Sequence, residues 1–94
     1  MTNIIEYTVL RCGKCVPASL YKSVRKQVVK RAPELALGIK YSHRMICGEE
    51  YWTGLHNHKT VAGLIMADLV ERQLVPFLFA SNRDARPLWY WLKP

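Results

Sequence analysis

Acidic residues are scarce in this chain. Seven Asp and Glu stand against 14 Lys and Arg, which leaves a formal charge of +7 on 94 residues. That imbalance makes polyanions the leading class of partner. Cysteine is scarce as well. Cys12, Cys15 and Cys47 are the only three, and an odd number cannot all pair with one another. A disulfide framework is therefore excluded, and the expected setting is reducing and cytoplasmic, with free thiols or a metal site. No apolar run approaches the roughly 18 residues of a membrane span, so no membrane partner is expected. The start MTNIIEY lacks the basic-then-apolar pattern and small-residue cleavage site of a secretory signal.

Catalytic signatures are missing too. The chain has no G-x-S-x-G, no phosphate-binding glycine loop and no H-E-x-x-H. Glu49 and Glu50 are adjacent, so on a helix they point about 100° apart and cannot face each other as an acid/base pair. The string His56-Asn57-His58 is not the nuclease motif of that name, whose residues are spread over a metal-binding unit. A non-enzymatic protein is expected. Repeats, low-complexity tracts and linkers are also absent, and 1–94 reads as one domain.

What the chain does have is apolar content: half its residues, enough for a real core. Segment 4–10 (IIEYTVL) is rich in β-branched and aromatic types and predicts a strand or an extended arm within 1–16. Gly13 marks a turn in 11–16. A helix is expected from Pro17, with Leu20, Tyr21, Val24, Val28 and Ala32 forming one stripe before Pro33 ends it. Lys22, Lys26 and Lys30 fall on the opposite face, flanked by Arg25. Their mutual repulsion is mild, and a nearby anion would relieve it. A short strand is expected over 38–42 and a short helix over 47–54. Residues 55–58 read as a turn and 59–73 as a longer helix with Val61, Ala62, Ile65, Met66 and Leu69 on one face. Gly63 within it would permit close approach of another backbone. Asp68 and Glu71 are expected on its solvent side. Segments 74–80 and 88–92 predict a hairpin, with Pro76 favouring an edge.

The order within 47–93, a short helix, a tight turn, a longer amphipathic helix and two apolar strands joined by an arginine-bearing loop, resembles the winged helix-turn-helix class of DNA-binding domains. The resemblance implies an α+β fold of about three helices with a C-terminal β-hairpin wing and a short extra strand. It also implies a small sequence-specific regulator that binds duplex DNA, with recognition helix 59–73 and wing 81–87. Such a motif reads base edges with the N-terminal residues of its second helix. Here those are Asn57, His58, Lys59 and Thr60, preceded by His56. Arg83 and Arg86 would serve the wing.

The charge lies elsewhere. Residues 1–48 hold nine Lys/Arg against two Asp/Glu, whereas 49–94 hold five of each. Lys22, Arg25, Lys26 and Lys30 are therefore expected as an auxiliary phosphate surface, giving affinity without sequence preference. RNA or an acidic protein would suit such a surface as well.

Two other chemistries compete. Cys12 and Cys15 form a C-x-x-C pair, and Cys47 is a third thiol. His43, His56 or His58 would complete a zinc tetrahedron of three thiolates and one imidazole. No second C-x-x-C follows, so the expectation is reduced cysteines and no cofactor. Trp52, Phe77, Phe79, Trp89, Tyr90 and Trp91 crowd the C-terminal half. Aromatic anchors dominate interface hot spots, so the alternative function is a protein-interaction module, with the Trp pair as a homodimer seam or docking site.

Overall fold

The structure is a computed structural model that describes residues 6–82 and 87–94. The chain opens with a hairpin of β1 (Tyr7–Val9) and β2 (Cys15–Pro17), paired antiparallel with Val9 opposite Cys15. The expected N-terminal strand or arm is thus half of a two-stranded sheet. Helix α1 spans Ala18–Arg31. Pro17 does not start it but caps it, ending β2 at φ −59° and ψ 131°. Val24 and Val28 are fully buried on the inner face of α1, each contributing on the order of 1.5–3 kcal/mol before ordering entropy is counted. A 3-10 turn over Ala32–Glu34, with Pro33 inside it, closes the helix.

Strand β3 (Lys40–Ser42) follows, then α2 (His43–Cys47) and α3 (Glu49–Gly54). The short helix expected over 47–54 is α3, while α2 just before it is unexpected, and the described residues hold four α-helices rather than about three. Gly48 separates α2 from α3. It sits at φ +91°, a conformation that L side chains resist, and the chain turns a corner there. The carbonyls freed at the corner are met from α1. Gln27 donates from Nε2 to the Cys47 oxygen at 2.7 Å, and Arg31 from Nε to the Ile46 oxygen at 3.1 Å.

A 3-10 turn, His56–His58, leads into α4 (Lys59–Glu71). Strands β4 (Phe77–Phe79) and β5 (Trp89–Leu92) complete the chain. The second sheet is antiparallel with order β3-β5-β4, so Pro76 does precede an edge strand. Tyr41 lies opposite Tyr90, and Phe79 lies opposite Tyr90 on the other side. The core is built from Val24 and Val28 of α1, Ile46 of α2, Ile65, Met66 and Leu69 of α4, and Phe77 and Tyr90 of the sheet. The fold is thus α+β, with four α-helices and two small antiparallel sheets among the described residues. Among those residues no helix is long and apolar enough to cross a membrane.

Gly63 corrects another expectation. A Cβ built there meets no atom within 4 Å, so no backbone approaches it. Gly63→Ala is therefore expected to stabilise the protein by about 0.5–1 kcal/mol through helix propensity. Gly48→Ala is expected to destabilise it by about 1 kcal/mol or more through its left-handed backbone. Urea unfolding of both variants measures the opposed signs, and equal signs would contradict these two environments.

Candidate nucleic-acid interface

Asp68 does not face solvent. It is 4 % exposed, and three donors converge on its carboxylate: the Arg11 backbone N–H at 2.7 Å, the Tyr21 hydroxyl at 2.8 Å and the Arg72 Nε at 2.8 Å. Burial pushes its pKa up, but these hydrogen bonds and the Arg72 charge outweigh burial and hold it below the ordinary 3.8. Tyr21 moves the other way, up to about 12, through burial and its bond to Asp68. Glu71 is also half-buried rather than free in solvent, and its Oε2 lies 3.7 Å from Arg11 Nε. The acidity expected on the outer side of α4 is thus internal or neutralised.

With those acids accounted for, the outer face of α4 carries Thr60, Gly63, Leu64 and Ala67, all exposed or half-buried. It walls a groove of about 680 Å³ whose other side is Leu88 and Trp89. Thirteen residues of helix make α4 roughly 20 Å long at about 1.5 Å per residue. At its N-terminal end the groove meets Trp52, which holds two cations: Lys59 Nζ at 5.6 Å and Arg44 Cζ at 5.9 Å from the ring centroid. Arg44 also pairs with Glu49, donating from Nε to Oε2 at 2.9 Å. Nothing in the sequence singles out Arg44. Residues 44, 52 and 59 come from three different helices, and no local spacing announces that they meet.

The expected reading residues are grouped as the sequence implied, at the entrance of α4. Asn57, His58 and Thr60 are exposed, while Lys59 is half-buried against Trp52. His58 is the N-cap and makes no side-chain capping bond among the described residues. Arg83 and Arg86, the expected wing contacts, lie outside the described residues.

Lys22, Arg25, Lys26 and Lys30 are all exposed on α1, and none belongs to an ion pair found among the described residues. α1 packs against α4, and none of these four residues lines the groove beside α4. Lys30 in addition borders a polar groove with Glu34, Glu49 and Glu50, which offsets that end of the row.

The zinc candidates form two separate pairs. Cys12 and Cys15 are exposed near the tip of the β1–β2 hairpin, and Cys47 is buried. Cys47 Sγ lies 3.7 Å from His43 Nδ1 on α2. Burial pushes the Cys47 thiol up to about 12 against an opposing Arg31 charge, and burial pushes His43 down to about 4. Both are therefore neutral at pH 7. Among the described residues no three His, Cys, Asp or Glu side chains converge as a metal site. Of the aromatics, Tyr90 and Phe77 are core, while Trp89 and Trp91 are half-buried, with Lys40 Nζ 5.4 Å from the Trp91 centroid.

Comparison of the chain with protein-family models, curated proteins and solved structures finds no match. The function of this surface is therefore argued from its chemistry.

Two stability measurements follow from these pKa directions. His43 is held neutral by burial at a pKa of about 4, against 6.5 when free. Its stabilisation is complete above pH 6.5 and is lost as pH falls through that window, with a slope of at most about 1.4 kcal/mol per pH unit. Melting temperatures between pH 7 and 4 test this, and His43→Phe should flatten the decline. Asp68, with a depressed pKa, contributes fully at neutral pH and loses its contribution only below 3.8. Asp68→Ala is expected to cost about 3 kcal/mol at pH 7, because a buried Tyr hydroxyl, a backbone N–H and an Arg lose their acceptor together. A cost below about 1 kcal/mol by denaturant titration would remove Asp68 from that role.

Proposed function

We propose that this chain is a winged helix-turn-helix protein that binds duplex DNA as a small regulator, with α4 as its recognition helix and the β4–β5 loop as its wing. The observation that carries the reading is the element order around α4. A short helix and a tight turn place α4 so that Asn57, His58 and Thr60 are exposed together at its N-terminus. An antiparallel hairpin then follows α4 and is joined by the short strand β3. Two further observations support it. The net charge of +7 favours a polyanion, and the internal placement of Asp68 keeps its carboxylate from repelling phosphate along α4. The reading assigns the protein no catalytic step.

The roles divide by side-chain chemistry. Asn57 is suited to bidentate pairing with adenine and Lys59 to guanine or phosphate. Beyond the first turn of α4 the outer face offers Gly63, Leu64 and Ala67. No long donor stands there, so readout in the middle of the helix would come from apolar contact with thymine methyl groups. Lys22, Arg25, Lys26 and Lys30, exposed on α1 and outside the α4 groove, would serve as an auxiliary phosphate surface.

One observation favours a second reading. The groove beside α4 is walled by Leu64, Ala67, Leu88 and Trp89, an apolar surface that suits an aromatic or aliphatic anchor of a partner protein.

Fluorescence anisotropy against mixed-sequence duplex across a salt series separates the two. The DNA reading expects binding that falls steeply between about 50 and 200 mM salt. It also expects Asn57→Ala to cost about 1–3 kcal/mol with relaxed sequence preference, and Lys22→Ala to weaken all sequences equally. Replacing thymine by uracil in the bound duplex should weaken binding; unchanged affinity would remove the methyl readout. No binding at low salt would leave the protein-docking reading.

A further inference from the structure

Cys12 of the N-terminal hairpin borders the groove beside α4, and the hairpin shows two features that its own fold does not explain. The first is its thiol pair. The turn between β1 and β2 is closed by the Gly13 N–H to the Leu10 oxygen and the Leu10 N–H to the Lys14 oxygen, both at 2.8 Å. Gly13 takes φ +93°. Cys12 lies in that turn and Cys15 opens β2, and both are exposed. Two thiols separated by two residues at a tight turn form the spacing of half a tetrahedral thiolate site. Among the described residues no third ligand converges with them.

The second feature is the outward face of the hairpin. Residues paired across strands share a face, so Val9 and Cys15 lie together, as do Tyr7 and Pro17. The opposite face carries Leu10 and Val16, both buried in the core. The outward one leaves Tyr7 62 % and Val9 57 % exposed. An apolar strip of this kind, on a two-stranded sheet and ending at Cys15, is incomplete by itself.

We propose that two copies of this chain join through their β1–β2 hairpins around one zinc ion, held by Cys12 and Cys15 of each copy. An isologous contact supplies each half-site with its own duplicate, which completes a tetrahedron of four thiolates and covers Tyr7 and Val9 in the same step. The four thiols each release a proton on ligation, so the zinc tetrathiolate carries a net charge of −2. Arg11 and Lys14 flank the thiols in each copy and offset that charge. Cys47 is excluded from the site because it is buried beside His43.

The test is metal titration of reduced, chelator-treated protein, read by light scattering and metal analysis. Zinc should double the mass from 10.9 kDa at one ion per two chains, and chelator should reverse it. Cobalt in place of zinc should give the intense visible bands of tetrahedral thiolate ligation. Cys12→Ser and Cys15→Ser should each abolish uptake and dimer formation while leaving the melting temperature of the metal-free protein unchanged, since both side chains are exposed. Tyr7→Lys should weaken the dimer with the thiols intact. No stoichiometric zinc, one zinc per monomer, or a dimer that persists in both serine variants would overturn the proposal.

Discussion

The buried carboxylate of Asp68 joins three parts of the molecule that are distant in sequence. It receives the backbone N–H of Arg11 from the N-terminal hairpin, the hydroxyl of Tyr21 from α1 and the guanidinium of Arg72 at the end of α4. Arg72 also reaches the Val9 oxygen at 3.3 Å, so the hairpin is held at a second point beside its turn. A charge in an apolar interior is tolerated only when its lone pairs are filled, and here the filling groups come from separate elements. The carboxylate thus ties the hairpin to the two main helices, alongside the burial of Leu10 and Val16 in the core.

The same carboxylate shapes the functional surface. Because Asp68 turns inward and Glu71 meets Arg11, the outer side of α4 is left small and apolar in its middle and polar at its entrance. Its cations gather at one end, where Trp52 holds Lys59 and Arg44. The cations of α1 lie outside the groove beside α4. A chain with one large positive excess thus carries two distinct surfaces, one shaped for contact and one chiefly for charge. The proposed duplex-binding role uses the first as reader and the second as accessory, and the hairpin thiol Cys12 borders the first.

Periodicity made the larger elements legible. The stripe of Leu20, Tyr21, Val24 and Val28 locates α1, and Val61, Ala62, Ile65, Met66 and Leu69 locate α4, because 3.6-residue repetition and burial have the same cause. Runs of aromatic and β-branched residues located β4 and β5 in the same way. Short elements were less legible. The break at Gly48 and the pairing of β1 with β2 depend on a single backbone conformation and a turn of a few residues, where periodicity has no room to accumulate. The glycine at 63 read as a site of close backbone approach, but its neighbours in space leave it open.

The sequence by itself determined the ingredients of this protein's surfaces: an excess of positive charge, a polar run at residues 57–60 and a C-x-x-C pair around a glycine. It determined the α+β mixture as well, since local apolar patterns choose between helix and strand. Only the tertiary structure decided which charges are free. Asp68 follows the spacing of a solvent-facing residue, yet it is buried because Tyr21, Arg11 and Arg72 arrive there together. Those partners lie 47, 57 and 4 residues away, and local periodicity holds no record of the two distant ones.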